Sequence, residues 1–377
     1  MLTDLTAHEA EVLACATVTA VSPDDGLTHI QKVLVEALFE AMTGHPLDCD
    51  GLAQVDANTL SVALEERDEA FKTRCIQLML LPALVLRPLP PTVAERIQAC
   101  ARTLNVDEGV VKVAQYFAEG SLELAAIEFE RSGYTANWTP EEQVQLHAQA
   151  CGLNDPWDTC NFDPSLAAKW EALEDAPHGS IGRMVWEMYR ARGFSFPGSP
   201  GSAPPLLAQH DWVHVLADYG TTVENELEVF AFIARANSDL RGFSLLAMVV
   251  SLFETGYLSE GAGLFEADPH HLSDDHNVAV RIADAVRRGA LCHDMTEGVD
   301  FLGFDWFRIA DHPIEAVRDR FKVPTRSEAA IVAGSRTCWE YGGISPFQLA
   351  AGKEAAAHEG RAYRSYGAWP TTEEVFA

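Results

Sequence analysis

Ile30-Gln31-Lys32-Val33-Leu34-Val35-Glu36-Ala37-Leu38-Phe39-Glu40-Ala41-Met42, followed by Thr43-Gly44-His45-Pro46, reads as one amphipathic helix and its stop signal. Ile30, Val33, Leu34, Ala37, Leu38, Ala41 and Met42 recur at i, i+3, i+4 and i+7, which draws one apolar helical face. Gly44 stands where a left-handed residue closes a helix, and Pro46 cannot continue it. The rhythm returns along the chain. It predicts helices at about 57–80, 91–104, 107–118 and 121–131, with Pro91 near a helix start after the Pro88-Leu89-Pro90 turn. Thr139-Pro140-Glu141-Glu142 opens a short helix. From Leu166 the pattern resumes, with helices at about 206–219, 222–236, 240–257, 275–289 and 313–321. No hairpin signal and no repeat of fixed period interrupts it, so the expected fold is all-α.

The 377 residues suggest two domains at about 150 residues each. Residues 1–133 read as an N-terminal helical bundle, 134–165 as a connector broken by Pro156 and Pro164, 166–324 as a second helical domain, and 325–377 as a C-terminal tail. A long loop rich in Gly, Ser and Pro runs from Gly193 to Pro205.

Acidic residues outnumber basic ones, 56 to 27, for a net charge of −29. Nucleic-acid backbones are bound through Lys and Arg, so nucleic acid is not an expected partner. Anionic membrane surfaces likewise attract basic segments. No phosphate-binding glycine loop is present, which argues against a nucleotide. Cys15, Cys49, Cys75, Cys100, Cys151, Cys160, Cys292 and Cys338 form no Cys-x-x-Cys pair. They read as reduced, mostly buried thiols of a cytoplasmic protein. The N-terminus shows no secretory or mitochondrial leader, and the longest apolar run, Ile76 to Leu86, is too short to span a membrane.

Chemistry concentrates in His210-Asp211-Trp212-Val213-His214 and in Gly220-Thr221-Thr222-Val223-Glu224-Asn225-Glu226. A helix turns about 100° per residue, so His210 and His214 lie about 40° apart, with Asp211 about 60° from His214. Gly220 reads as the left-handed cap of this helix, and Thr221 with Glu224 as the capping box of the next. The short connection makes the two helices neighbours, and Glu226, in the first turns of the second, faces back toward His214. Two imidazoles and two carboxylates converging suit a divalent metal, and mixed nitrogen and oxygen donors suit zinc, iron or manganese. Asp211 is either a ligand or a partner that orients a histidine.

The spacing H-D-x-x-H, eleven residues, then E resembles the signature of the ubiquinone (coenzyme Q) biosynthesis protein four family, matched at His210, Asp211, His214 and Glu226. Gly179-Ser180-Ile181-Gly182-Arg183 resembles the family's G-x-x-G segment before the preceding helix. Arg288-Gly289 resembles the R-G that ends a later helix, and Asp305-Trp306, Pro313 and Arg318 resemble a segment near the family's end. The resemblance spans about 166–324. Asn225 stands where the family commonly has Gly. The N-terminal block loosely resembles tellurite-resistance B-like domains, but its turn Arg87-Pro88-Leu89-Pro90 lacks their acidic loop pair, so no metal site is carried over there.

The resemblance implies a helical fold holding a divalent metal, usually taken as Zn2+, with Fe2+ or Mn2+ as the other candidates. It implies a metal-dependent C1 decarboxylase (lyase) that acts oxidatively on a prenylated 4-hydroxybenzoate derivative. Its partners would be a prenylated quinone-precursor lipid and other quinone-biosynthesis proteins, with peripheral contact at the inner membrane. The apolar stretch Leu240 to Leu258 is either a core helix or the wall of a prenyl channel. The rival to an enzyme is a lipid-binding scaffold that organises quinone-biosynthesis enzymes, its metal joining two helices. His270, His271 and Asp275 read as a loop entering a helix, and His293-Asp294 as loop.

Overall fold

Two capping boxes start the chain. The Thr6 hydroxyl accepts from the Glu9 amide and the Glu9 carboxylate accepts from the Thr6 amide, which opens α1 (Ala7–Val21). Thr28 and Gln31 repeat the device for α2 (His29–Thr43), and Gly44 closes α2 at φ 74° as expected. The computed structural model describes residues 2, 4–86, 89–106, 162–200, 202–203, 205, 208–237, 246 and 276–368. Expected helices at 107–118, 121–131 and 139 onward, most of the 240–258 stretch, and the His270–Asp275 loop lie outside them.

Thirteen α-helices, two 3-10 turns and no strand are present among the described residues, so the chain is helical as expected. The stretch expected as one helix at 57–80 is two, α3 (Ala57–Ala63) and α4 (Glu69–Leu84). The Asp68 side chain accepts from the Phe71 amide and starts a new helix, while Arg67 turns away to bind Glu9. Next comes α5 (Pro91–Leu104), beginning at Pro91 as read.

α2 is buried more widely than its stripe predicted. Val35 and Phe39 are buried, whereas Val33 and Ala41 are only partly so. The reason is that α2 packs on α4 on one side and on the helix 276–296, labelled α10 below, on another. One apolar cluster consequently runs from Leu2 to Cys338 through both halves of the chain.

The second half contains α6 (Pro164–Glu171), α7 (Ile181–Arg192), α8 (Gln209–Ala217), α9 (Val223–Ala236), α10 (His276–Thr296), α11 (Ile314–Arg320), α12 (Glu328–Val332) and α13 (Pro346–His358). α10 outruns the expected 275–289, so His293 and Asp294 are helical rather than loop. Arg288-Gly289 therefore does not end a helix. Gly289 lies inside α10, where an added Cβ would sit 2.5 Å from the Phe232 carbonyl oxygen. The missing side chain is what lets α10 lie against α9. Gly182 plays the same part in α7, because a Cβ there would meet the Ala310 Cβ at 2.8 Å.

Trp212 anchors the middle of α8. It stacks on Trp306 at 6.0 Å and packs on Trp170 at 5.5 Å. All three indoles are among the most deeply buried side chains. The six described cysteines are free and buried, while Cys151 and Cys160 lie outside the described residues. No described helix is long and apolar enough to cross a membrane.

Candidate metal centre

α8 carries three of the four expected residues within five positions, and all three are buried. One ligand atom each from His210, Asp211 and His214 lies within 4.8 Å of the others, a group that can hold a metal ion. Their helical spacing alone explains this much. Glu226 arrives from the first turn of α9. Its Oε2 lies 3.1 Å from His210 Nε2 and 3.2 Å from His214 Nε2, and Asp211 Oδ1 lies 3.4 Å from His210 Nε2. The Glu226 side chain is buried too. Packed this way, the four side chains also form a buried salt-bridged cluster.

The connection between the helices differs from the expected one. The left-handed residue is Asp218, at φ 64°, and not Gly220. Gly220 is needed for closeness instead, since a Cβ there would sit 2.7 Å from both the Asn225 Oδ1 and the Gly343 carbonyl oxygen. The helix cap is Thr222, whose side chain accepts from the Asn225 amide, and not Thr221 with Glu224. Thr221 is fully buried, its hydroxyl turned to Gln348. Asn225 donates to Glu228, which pairs with Arg281 on α10.

Two interactions orient the donor atoms. His214 Nδ1 donates to the Gly220 carbonyl at 2.7 Å, which turns Nε2 toward the cluster. On α7, the Tyr189 hydroxyl donates to Asp211 Oδ2. Metal-binding histidines and carboxylates are held by such outer partners. Burial pushes the Glu226 carboxyl up, but the His214 and His210 imidazoles outweigh it and hold the group at about 2. Burial raises the Asp211 carboxyl against the pull of both histidines and Tyr189. Tyr189 itself is raised by burial and by the Asp211 charge, so it stays a donor.

The donor set fits a divalent metal: two neutral-capable imidazoles and two carboxylates, buried, with both Nε2 atoms directed at one carboxylate oxygen. Tyr189 also lines a cavity of about 370 Å³, together with Trp186, Phe194, Phe196 and Arg190. Sequence reading missed Tyr189, Arg192 and Gln348. Tyr189 sits at a helical spacing that reads as core, and Gln348 lies in what reads as a tail.

Comparison with protein-family models, with curated proteins and with solved structures finds no match to this chain.

Proposed function

We propose that the chain is a metal-dependent enzyme of the ubiquinone-biosynthesis type, which replaces the C1 carboxylate of a prenylated 4-hydroxybenzoate derivative with a hydroxyl. What supports the reading is one observation: His210, Asp211 and His214 converge with Glu226 at the spacing of that family's signature. His210, His214, Glu226 and Asp211 would hold the ion, with Zn2+ favoured by the resemblance and Fe2+ or Mn2+ suited by the donors. A bound divalent ion supplies a Lewis acid that grips and polarises a carboxylate. In the net reaction, the ring C1–carboxylate bond breaks and CO2 leaves, C1 takes one oxygen atom of dioxygen as its hydroxyl, and the other oxygen leaves as water with two electrons from an external reductant and protons from solvent.

The chain's own residues do the rest. Tyr189 holds Asp211 and keeps its proton, and the Gly220 carbonyl holds the His214 ring. The buried aromatic walls around α8 keep bulk water from the cluster. The cavity beside Tyr189 has the size of small-molecule sites, about 300–1,000 Å³, and offers room for a ring.

The tight mutual contact of the four side chains favours a second reading, a closed structural metal that clasps α8 to α9 in a lipid-binding scaffold. Glu226→Ala separates the two. A folded variant without turnover supports the enzyme, and a large fall in melting temperature with no activity to lose supports the clasp. Elemental mass spectrometry of the wild type and His214→Ala tests both. About one metal per chain, lost in the variant, is the expected result. A folded, metal-resupplied wild type without metal would refute either reading.

A further inference from the structure

The turn between α8 and α9 carries the carbonyl that orients His214, and the end of the chain holds that turn. The Gly220 amide donates to the Arg336 carbonyl at 2.7 Å, and the Thr221 amide to the Gly343 carbonyl at 2.9 Å. Cys338 Sγ donates to the Tyr219 carbonyl at 2.8 Å. Gln348, on α13, makes a two-point clamp on Thr221. Its Nε2 donates to the Thr221 carbonyl at 2.6 Å, and its Oε1 accepts from the Thr221 hydroxyl at 2.7 Å. Arg192, the last residue of α7, donates to the Thr221 hydroxyl oxygen and to the Cys338 and Gly343 carbonyls. Thr221, Gln348 and Arg192 are all buried, so water cannot replace these bonds.

We infer that Gln348, backed by Arg192, is a positioning residue of the metal centre, acting through Thr221 and the Gly220 carbonyl on His214. The inference rests on the metal-binding reading above. The chain of contacts is short: Gln348 to Thr221, its peptide neighbour Gly220, then His214 Nδ1 at 2.7 Å. Without the clamp, the Thr221 carbonyl and hydroxyl each lose a buried partner and the turn relaxes. The His214 ring then loses the fixed acceptor that sets its tautomer and direction. Outer partners of this kind change metal affinity by about 10–100-fold. Arg336, Cys338, Gly343 and Gln348, which hold the turn from the end of the chain, lie outside the 166–324 stretch that carries the ligands.

The test uses the full chain and Co2+ as the probe, with affinity measured by chelator competition and geometry by the ligand-field absorption bands of Co2+. Gln348→Ala is expected to weaken Co2+ binding about 10–100-fold and to alter the bands. Gln348→Met keeps the length of the side chain and removes both the donor to the Thr221 carbonyl and the acceptor for the Thr221 hydroxyl, and is expected to weaken binding as Gln348→Ala does without leaving a cavity. Lys353→Ala, on the same helix but making none of these bonds, is expected to match wild type. Wild-type affinity and bands in a folded Gln348→Ala would overturn the inference while leaving the metal centre intact. If Gln348→Ala does not fold, Gln348→Met decides: weakened binding supports the clamp and unchanged binding overturns it. A folded wild type that takes up no Co2+ overturns the metal reading, and this inference with it.

Discussion

Asp211 shows how one side chain depends on a neighbour the local sequence does not announce. Its Oδ2 is bonded by the Tyr189 hydroxyl, and its Oδ1 faces His210. Tyr189→Phe keeps the ring, which stacks on Phe196 at 5.3 Å, and removes only the donor. An unpartnered buried acceptor costs about 1–3 kcal/mol, so urea unfolding of the metal-free protein is expected to show a loss of that size. Metal affinity is expected to fall about 10-fold as well. His210→Ala is expected to lose the stoichiometric metal outright, because one imidazole and the contact at 3.1 Å with Glu226 go together. Metal content per chain checks that.

At the scale of elements, the packing of α9 on α10 hangs on one missing side chain. Gly289→Ala should gain up to about 1 kcal/mol from helix propensity. Its Cβ, however, would lie 2.5 Å from the Phe232 carbonyl oxygen and 3.1 Å from the Ala236 amide nitrogen. Overpacking of this kind costs about 1–3 kcal/mol, and backbone atoms cannot swing aside as a flexible side chain can. Steric cost wins, and the melting temperature is expected to drop despite the better helix former. Thr222→Ala is a milder test, removing the cap of the helix that delivers Glu226. It should cost about 1 kcal/mol in thermal or chemical unfolding. Periodicity placed α2, α5, α9 and α11 well, because apolar spacing is local information. It fused α3 with α4 and shortened α10, since Arg67 binding Glu9, 58 positions away, and Gly289 as a packing residue declare themselves only against their partners.

For the molecule as a whole, acid should act in separable windows. Burial, then Arg235 and Arg74, lower His293 from 6.5 to about 4. The folded state thus refuses a proton that the unfolded chain accepts. Stability contributed by the neutral ring is complete above 6.5 and is lost as pH falls toward about 4. Glu9, held by Arg67, is lowered from 4.5 to about 2, so its contribution is complete above 4.5 and lost below that. His293→Gln is expected to flatten the pH dependence of the unfolding midpoint in the upper window only. Melting curves from pH 7 to 4 check this, and an unchanged slope would sink the assignment.

The sequence by itself determined the helical class, the stripe of α2 with its Gly44 stop, and the clustering of His210, Asp211 and His214. Each follows from spacing along one helix, where about 100° per residue converts order into position. Only the tertiary structure decided that Tyr189 and Gly220 orient those side chains, and that residues 336–348 close over the turn behind them. Thr221 and Gln348 are 127 positions apart. No periodicity links residues at that distance, and their hydrogen bonds exist because close packing at Gly220 and Gly343 brings two backbones together.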